Sequence, residues 1–132
     1  MEAVMKINGY HHIGLFVKDA EKSLEFYKKL GGEVTFSFPM GGSGDIIYLV
    51  DVGGHAVVEI IPRGFDEDEA NARFAHIAFE TDDAAAAYDL ALKAGATSRS
   101  EPNNSALGTM NVCTAFVYGP DKEVIEFFQV RD

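Results

Sequence analysis

The chain has 132 residues, 47% of them hydrophobic and 24% charged, the proportions of one soluble globular domain long enough to bury a core. Its 21 acidic residues against 11 basic ones leave a formal charge of -10, which argues against nucleic acid or an anionic membrane as partner, because phosphate binding needs a positive footprint. A single cysteine, Cys113, excludes an internal disulfide and any thiolate cluster, so His and carboxylate are the metal-ligand types present in number.

The opening MEAVMKING has no apolar core of signal-peptide length, and no run approaches the roughly 18 apolar residues of a membrane span. A cytoplasmic protein is expected. The next stretch, YHHIGLFVKD (residues 10–19), reads as a strand ended by Asp19, whose carboxylate can cap a helix start. AEKSLEFYKKL then places Leu24, Tyr27 and Leu30 on one helical stripe, and Gly31 supplies a helix stop. Strand-like runs follow in GGEVTFSF, DIIYLVDV and HAVVEIIP, the last two joined by a turn at Gly53 and Gly54. The polar RGFDEDEANAR (residues 63–73) reads as a solvated connector.

Beyond the connector the pattern repeats. HIGLFVKDAEKSLEFYKKLGG from His12 aligns without gaps to HIAFETDDAAAAYDLALKAGA from His76, pairing His12 with His76, Ile13 with Ile77, Asp19 with Asp83 and Gly31 with Gly95 at a constant offset of 64. Asp82 or Asp83 caps the second helix, and Gly95 ends it. ATSRSE, VCTAFVYG and EVIEFFQV complete the second half, with GPDKE as the final turn. The closing strands align as well: VVEII (57–61) matches VIEFF (124–128), pairing Glu59 with Glu126. The chain therefore reads as one α+β domain over residues 1–132, made of tandem βαβββ modules at 8–66 and 72–132. Such modules pair into an eight-stranded, incompletely closed barrel-like sheet around a cleft.

Four residues recur in equivalent places and can bind metal: His12 and His76 in the opening strands, Glu59 and Glu126 in the closing strands. Each lies within an apolar strand, with flanking residues such as Ile13 and Ile77 expected to pack under the helices. A lone His or Glu on a strand is more often a satisfied polar residue, but a buried carboxylate without a partner costs several kcal/mol or takes up a proton. One divalent cation resolves all four positions. Two imidazoles and two carboxylates form an N2O2 set suited to Ni, Zn, Co, Mn or Fe.

Weaker candidates carry less. His11 has Ala75 as its counterpart and points to the opposite strand face from His12, a packing or surface histidine. His55, beside a glycine turn, reads as exposed, and Cys113 as a small buried hydrophobe. MGGSG (40–44) is rich in glycine but lacks the remaining elements of a phosphate loop, and reads as a loop or flap. Tyr10, Phe16, Phe36, Phe38 and Phe128 can wall an apolar pocket or belong to the core.

HIGLFVKDAEKSLEFYKKLGG, VVEII, HIAFETDD and GPDKEVIEFFQ together resemble the vicinal oxygen chelate superfamily, which includes glyoxalase I, methylmalonyl-CoA epimerase, extradiol dioxygenases and the fosfomycin and bleomycin resistance proteins. The resemblance implies paired βαβββ modules, a homodimer, and one divalent metal held by His12, Glu59, His76 and Glu126. The His, Glu, His, Glu order resembles small bacterial glyoxalase I, whereas HHIGLFVKD reads as much like methylmalonyl-CoA epimerase. Glutathione-dependent glyoxalase I tends to carry Arg four residues after the first ligand and Asn four after the second; Phe16 and Arg63 stand there, which disfavours glutathione.

The resemblance leads to a metal-dependent lyase or isomerase of glyoxalase I type, moving a proton next to a carbonyl through a metal-bound enediolate, with Glu126 as base and Glu59 as alternate. The substrate is then a 2-oxo aldehyde–thiol adduct or an acyl thioester. The alternatives are a methylmalonyl-CoA-epimerase-like enzyme, an Fe(II) extradiol-type dioxygenase, and a non-catalytic protein that binds a drug or metabolite.

Overall fold

The computed structural model describes residues 7–29, 31–65, 74–119 and 123–132. In chain order the elements are β1 (Ile7–Phe16), α1 (Ala20–Lys29), β2 (Glu33–Pro39), β3 (Ile46–Asp51), β4 (Val57–Ile61), β5 (Phe74–Thr81), α2 (Ala84–Lys93), β6 (Thr97–Leu107), β7 (Met110–Tyr118) and β8 (Val124–Val130). This is the expected α+β fold, βαβββ written twice. Leu30, connector residues 66–73 and turn residues 120–122 lie outside the described residues.

Contacts group His12–Ala75 into one unit and His76–Asp132, joined by the start of β1 up to His11, into another. In the first the strands run in the order β2-β3-β4-β1, with β1 parallel to β4 and the other pairs antiparallel. In the second the order is β5-β8-β7-β6, with β5 parallel to β8. The two orders are the same order. Each opening strand pairs with its own closing strand, so the residues that recur in the sequence recur at equivalent registers.

Both helices start as their caps require. Asp19 accepts the Lys22 N–H at 3.2 Å, and of the two candidates for α2 it is Asp83 that accepts the Ala86 N–H at 3.0 Å. Asp82 instead accepts from the Asn8 side chain, tying the start of β1 to the unit that holds β5. Gly31 and Gly95 end the helices with φ of 96° and 114°, a region that L side chains avoid.

The helices differ in how they pack. α2 lies over β6, β7 and β8, burying Ala84, Ala87 and Tyr88 against Cys113, Ala115, Val117 and Phe127. The Tyr88 hydroxyl donates to Ser98 Oγ at 2.7 Å, and Gln129 Oε1 accepts the Ala84 N–H, so the polar groups under the helix are paired. α1 contacts β4 and has no fully buried side chain, although Leu24 and Tyr27 of its stripe are half-buried. Ile13 and Ile77 depart from expectation: they are 40% and 37% exposed. On β5 it is Phe79, two residues further along the same face as Ile77, that packs against the cluster under α2.

β6 runs on to Leu107, well beyond the expected ATSRSE. Pro102 is tolerated inside it because β6 ends the strand order of its unit and its pairing with β7 shifts register between Ser100 and Asn103. Among the described residues no helix is long and apolar enough to cross a membrane.

Candidate functional site: a His–Glu pair in each unit

In the His12–Ala75 unit, His12 and Glu59 meet. His12 Nε2 lies 3.3 Å from Glu59 Oε1, and the two residues are 3% and 8% exposed. Parallel pairing sets Gly14 opposite Glu59, and antiparallel pairing sets Leu49 on its other side. Because side chains alternate along a strand, Gly14 shares the face of His12 and leaves the carboxylate room beside the imidazole.

The other unit repeats this construction. His76 Nε2 lies 3.1 Å from Glu126 Oε1, with both side chains largely covered. Ala78 stands opposite Glu126 as Gly14 does opposite Glu59, and Phe116 takes the place of Leu49. The Phe116 ring meets His76 edge-on, centroids 5.9 Å apart and planes at 78°. On the reverse face of this sheet Ile125 and Phe127 pack with α2.

Two imidazoles each held against a carboxylate are chemically specific. An ionised carboxylate removed from water loses several kcal/mol of hydration, which a cation or a protonated imidazole must offset. The same pairing arises twice from separate strands. Small residues two positions beyond each histidine, Gly14 and Ala78, were visible in the repeat as His-Ile-Gly and His-Ile-Ala. Their role needs the β1–β4 and β5–β8 registers to be seen.

The remaining sequence candidates fall away from these pairs. His11 is half-buried and stacks on Phe128, ring centroids 3.9 Å apart, with Phe128 only 1% exposed. His55 is exposed, in a turn with φ of 64°. Cys113 is buried beneath α2. MGGSG forms the β2–β3 turn, closed by Met40 N–H to Asp45 O and Ser43 Oγ to Met40 O. Phe38 and Phe128 are core, Phe36 and Phe16 half-buried, and Tyr10 is 67% exposed and stacked on Phe79.

Residues 9–127 match the family model of the glyoxalase/bleomycin resistance protein/dioxygenase superfamily, a span that holds all four paired residues. The chain belongs to this superfamily. A relative within reach by sequence is the uncharacterized protein YwbC of Bacillus subtilis (strain 168), 32% identical over 124 residues, covering 89% of this chain and 94% of that one. Solved structures share the fold. The crystal structure of methylmalonyl-CoA epimerase from Mycobacterium tuberculosis is 21% identical with a TM-score of 0.70, covering 100% of this chain and 94% of its own. A methylmalonyl-CoA epimerase in complex with methylmalonyl-CoA and NH4+ is 21% identical with a TM-score of 0.73, covering 96% of each chain.

Proposed function

We propose that this superfamily member is an enzyme that moves a proton at a carbon next to a carbonyl, with His12, Glu59, His76 and Glu126 as ligands of one divalent cation. The observation that carries the reading is the duplicated, buried His–Glu pair, at 3.3 and 3.1 Å. The donors fit such an ion: two imidazole nitrogens and two carboxylates form an N2O2 set of intermediate hardness that accepts Ni, Zn, Co, Mn or Fe. When bound, the cation supplies Lewis-acid stabilisation of the charge that grows on the carbonyl oxygen.

The chain's own residues do the rest. Glu126 takes the proton from the carbon as the C–H electron pair moves into the carbonyl, and in an isomerisation returns it to the neighbouring carbon. Glu59 is the alternate base. The apolar residues around each carboxylate, Leu49 and Phe116 among them, keep bulk water away and hold the base ready. Epimerisation of an acyl thioester, the reaction class of the epimerases that share the fold, needs a proton delivered to the opposite face of the same carbon, and Glu59, the second carboxyl group, is the residue that would supply it while Glu126 keeps the one it removed. Return to the neighbouring carbon is isomerisation of a 2-oxo aldehyde–thiol adduct, supported by the presence of both glutamates as in small bacterial glyoxalase I. We further propose a homodimer located in the cytoplasm, in keeping with a single buried thiol.

The test is proton exchange with solvent deuterium, followed by NMR on the metal-loaded protein, with methylmalonyl thioester and with a methylglyoxal–thiol adduct. Wild type is expected to exchange the carbon-bound proton of one of them, and Glu126→Gln to slow it by about 10²–10⁴-fold. Absence of a bound divalent ion together with no exchange on either substrate sinks the reading. Oxygen uptake with Fe(II) and a catechol would replace it with a dioxygenase.

A further inference from the structure

The two units are alike in strand order and in their His–Glu pairs, yet differ at one duplicated irregularity. In the His12–Ala75 unit the β2–β3 pairing shifts register between Val34 and Phe36, leaving Thr35 as the extra residue. In the other unit the β6–β7 pairing shifts between Ser98 and Ser100, leaving Arg99. Thr35 and Arg99 are 64 residues apart, the offset of the whole repeat. The bulge is thus part of the module, and only its side chain has changed. A bulge breaks the strict alternation of strand side chains and re-aims the residue it carries.

What Arg99 is aimed at can be read from its neighbours. Its guanidinium lies over the Phe116 ring, 5.4 Å from the centroid. The same ring meets His76 edge-on at 5.9 Å, and Phe116 stands directly across the β7–β8 ladder from Glu126. Arg99 is therefore one aromatic ring away from the His76–Glu126 pair, on the same face, with its side chain exposed. The polar Thr114 lies two residues before Phe116 and so on the same face, paired across the ladder with Asn103. At the same bulge position the other unit carries no cation: Thr35 is a short polar residue, its hydroxyl 3.5 Å from the Leu49 carbonyl, and Leu49, Ile47 and Phe38 are buried apolar groups, while the guanidinium of Arg63 lies over the Phe16 ring, 4.3 Å from its centroid.

Resting on the proton-transfer reading above, we propose that Arg99 is a specificity-determining residue that receives the carboxylate of an acidic substrate, selecting a carboxy-acyl thioester over a neutral carbonyl compound. Guanidinium is suited to this role because it stays charged, presents paired donors that match a carboxylate, and can rest on an aromatic face while it does so. The aromatic support from Phe116 limits the orientations of the long side chain, which reduces the entropy lost on binding. In a chain with 21 acidic residues, a cation placed beside a buried carboxylate pair also offsets the repulsion an anionic substrate would meet there.

The experiment measures affinity and proton exchange on the metal-loaded, full-length protein with two probes, the N-acetylcysteamine thioester of methylmalonate and its methyl ester, which lacks the charge. Wild type is expected to favour the carboxylate, and Arg99→Gln to collapse the ratio of the two affinities by about 10–100-fold, the range for a charge-assisted hydrogen bond. Arg99→Lys keeps part of the ratio, and Thr35→Ala keeps all of it. A ratio near one in wild type, or a ratio unmoved in Arg99→Gln, overturns the proposal. Equal weakening of both probes would also do so, since that is the mark of a merely structural role. The proton-transfer reading is judged separately: a charge-dependent ratio with no exchange on any substrate leaves Arg99 as an anion-binding residue and removes the reaction.

Discussion

His11 and His12 are adjacent in sequence and opposite in circumstance. The boundary between the two compact units falls between them, so His11 stacks on Phe128 in one while His12 pairs with Glu59 in the other. Replacing each by alanine should therefore have different consequences. His11→Ala is expected to destabilise the fold by roughly 0.5–1.5 kcal/mol through the lost ring stack while leaving metal content unchanged. His12→Ala should lower metal affinity sharply, since it removes a proposed ligand. Metal analysis after gel filtration, alongside a denaturant melt, separates the two, and loss of the ion from the His11 variant would count against the assignment. The same scale shows why the role of Gly14 and Ala78 is hidden in the sequence although their positions recur: a small residue has chemistry only through what it makes room for.

Among the elements, the two helices share a cap geometry but not a burial. Asp19 and Asp83 each accept a backbone N–H three residues on, yet α2 buries three side chains and α1 none. Asp83→Ala is expected to cost about 1 kcal/mol of global stability, read as a drop of a few degrees in melting temperature. Amides of α1 should exchange with solvent faster than those of α2, because a helix with few buried apolar contacts opens without the rest of the chain. Equal protection of the two helices in a hydrogen-exchange experiment would contradict this difference. The alanine run in α2 is what permits its closer approach: Ala84 and Ala87 face a tight interface where larger side chains would overpack.

For the whole molecule, stability and metal binding are expected to be linked. An ion that binds only the folded chain stabilises it by about 2.7 kcal/mol at a hundred times its dissociation constant, so Ni, Zn, Co, Mn or Fe salts should raise the melting temperature and a chelator should lower it. The shift should vanish in His76→Ala. An undiminished shift in that variant would place the ion elsewhere. Sedimentation velocity tests the proposed homodimer, and a monomer at micromolar concentration would remove it.

Much of this architecture is legible before any coordinate is known, because the chain contains its own comparison. Duplication turns weak local signals, one His on a strand and one Glu on another, into equivalent positions, and the strand periodicity with Asp and Gly punctuation places them on βαβββ units. The amino-acid order alone thus determines the fold class, the helix limits and the residues that recur. Tertiary structure alone decides which His meets which Glu, since that depends on parallel registers between strands some 45 residues apart (Gly14 with Glu59, Ala78 with Glu126). It alone reveals Arg99 as well. A β-bulge is a mismatch between two strands, and a single strand read in isolation has nothing to be mismatched with.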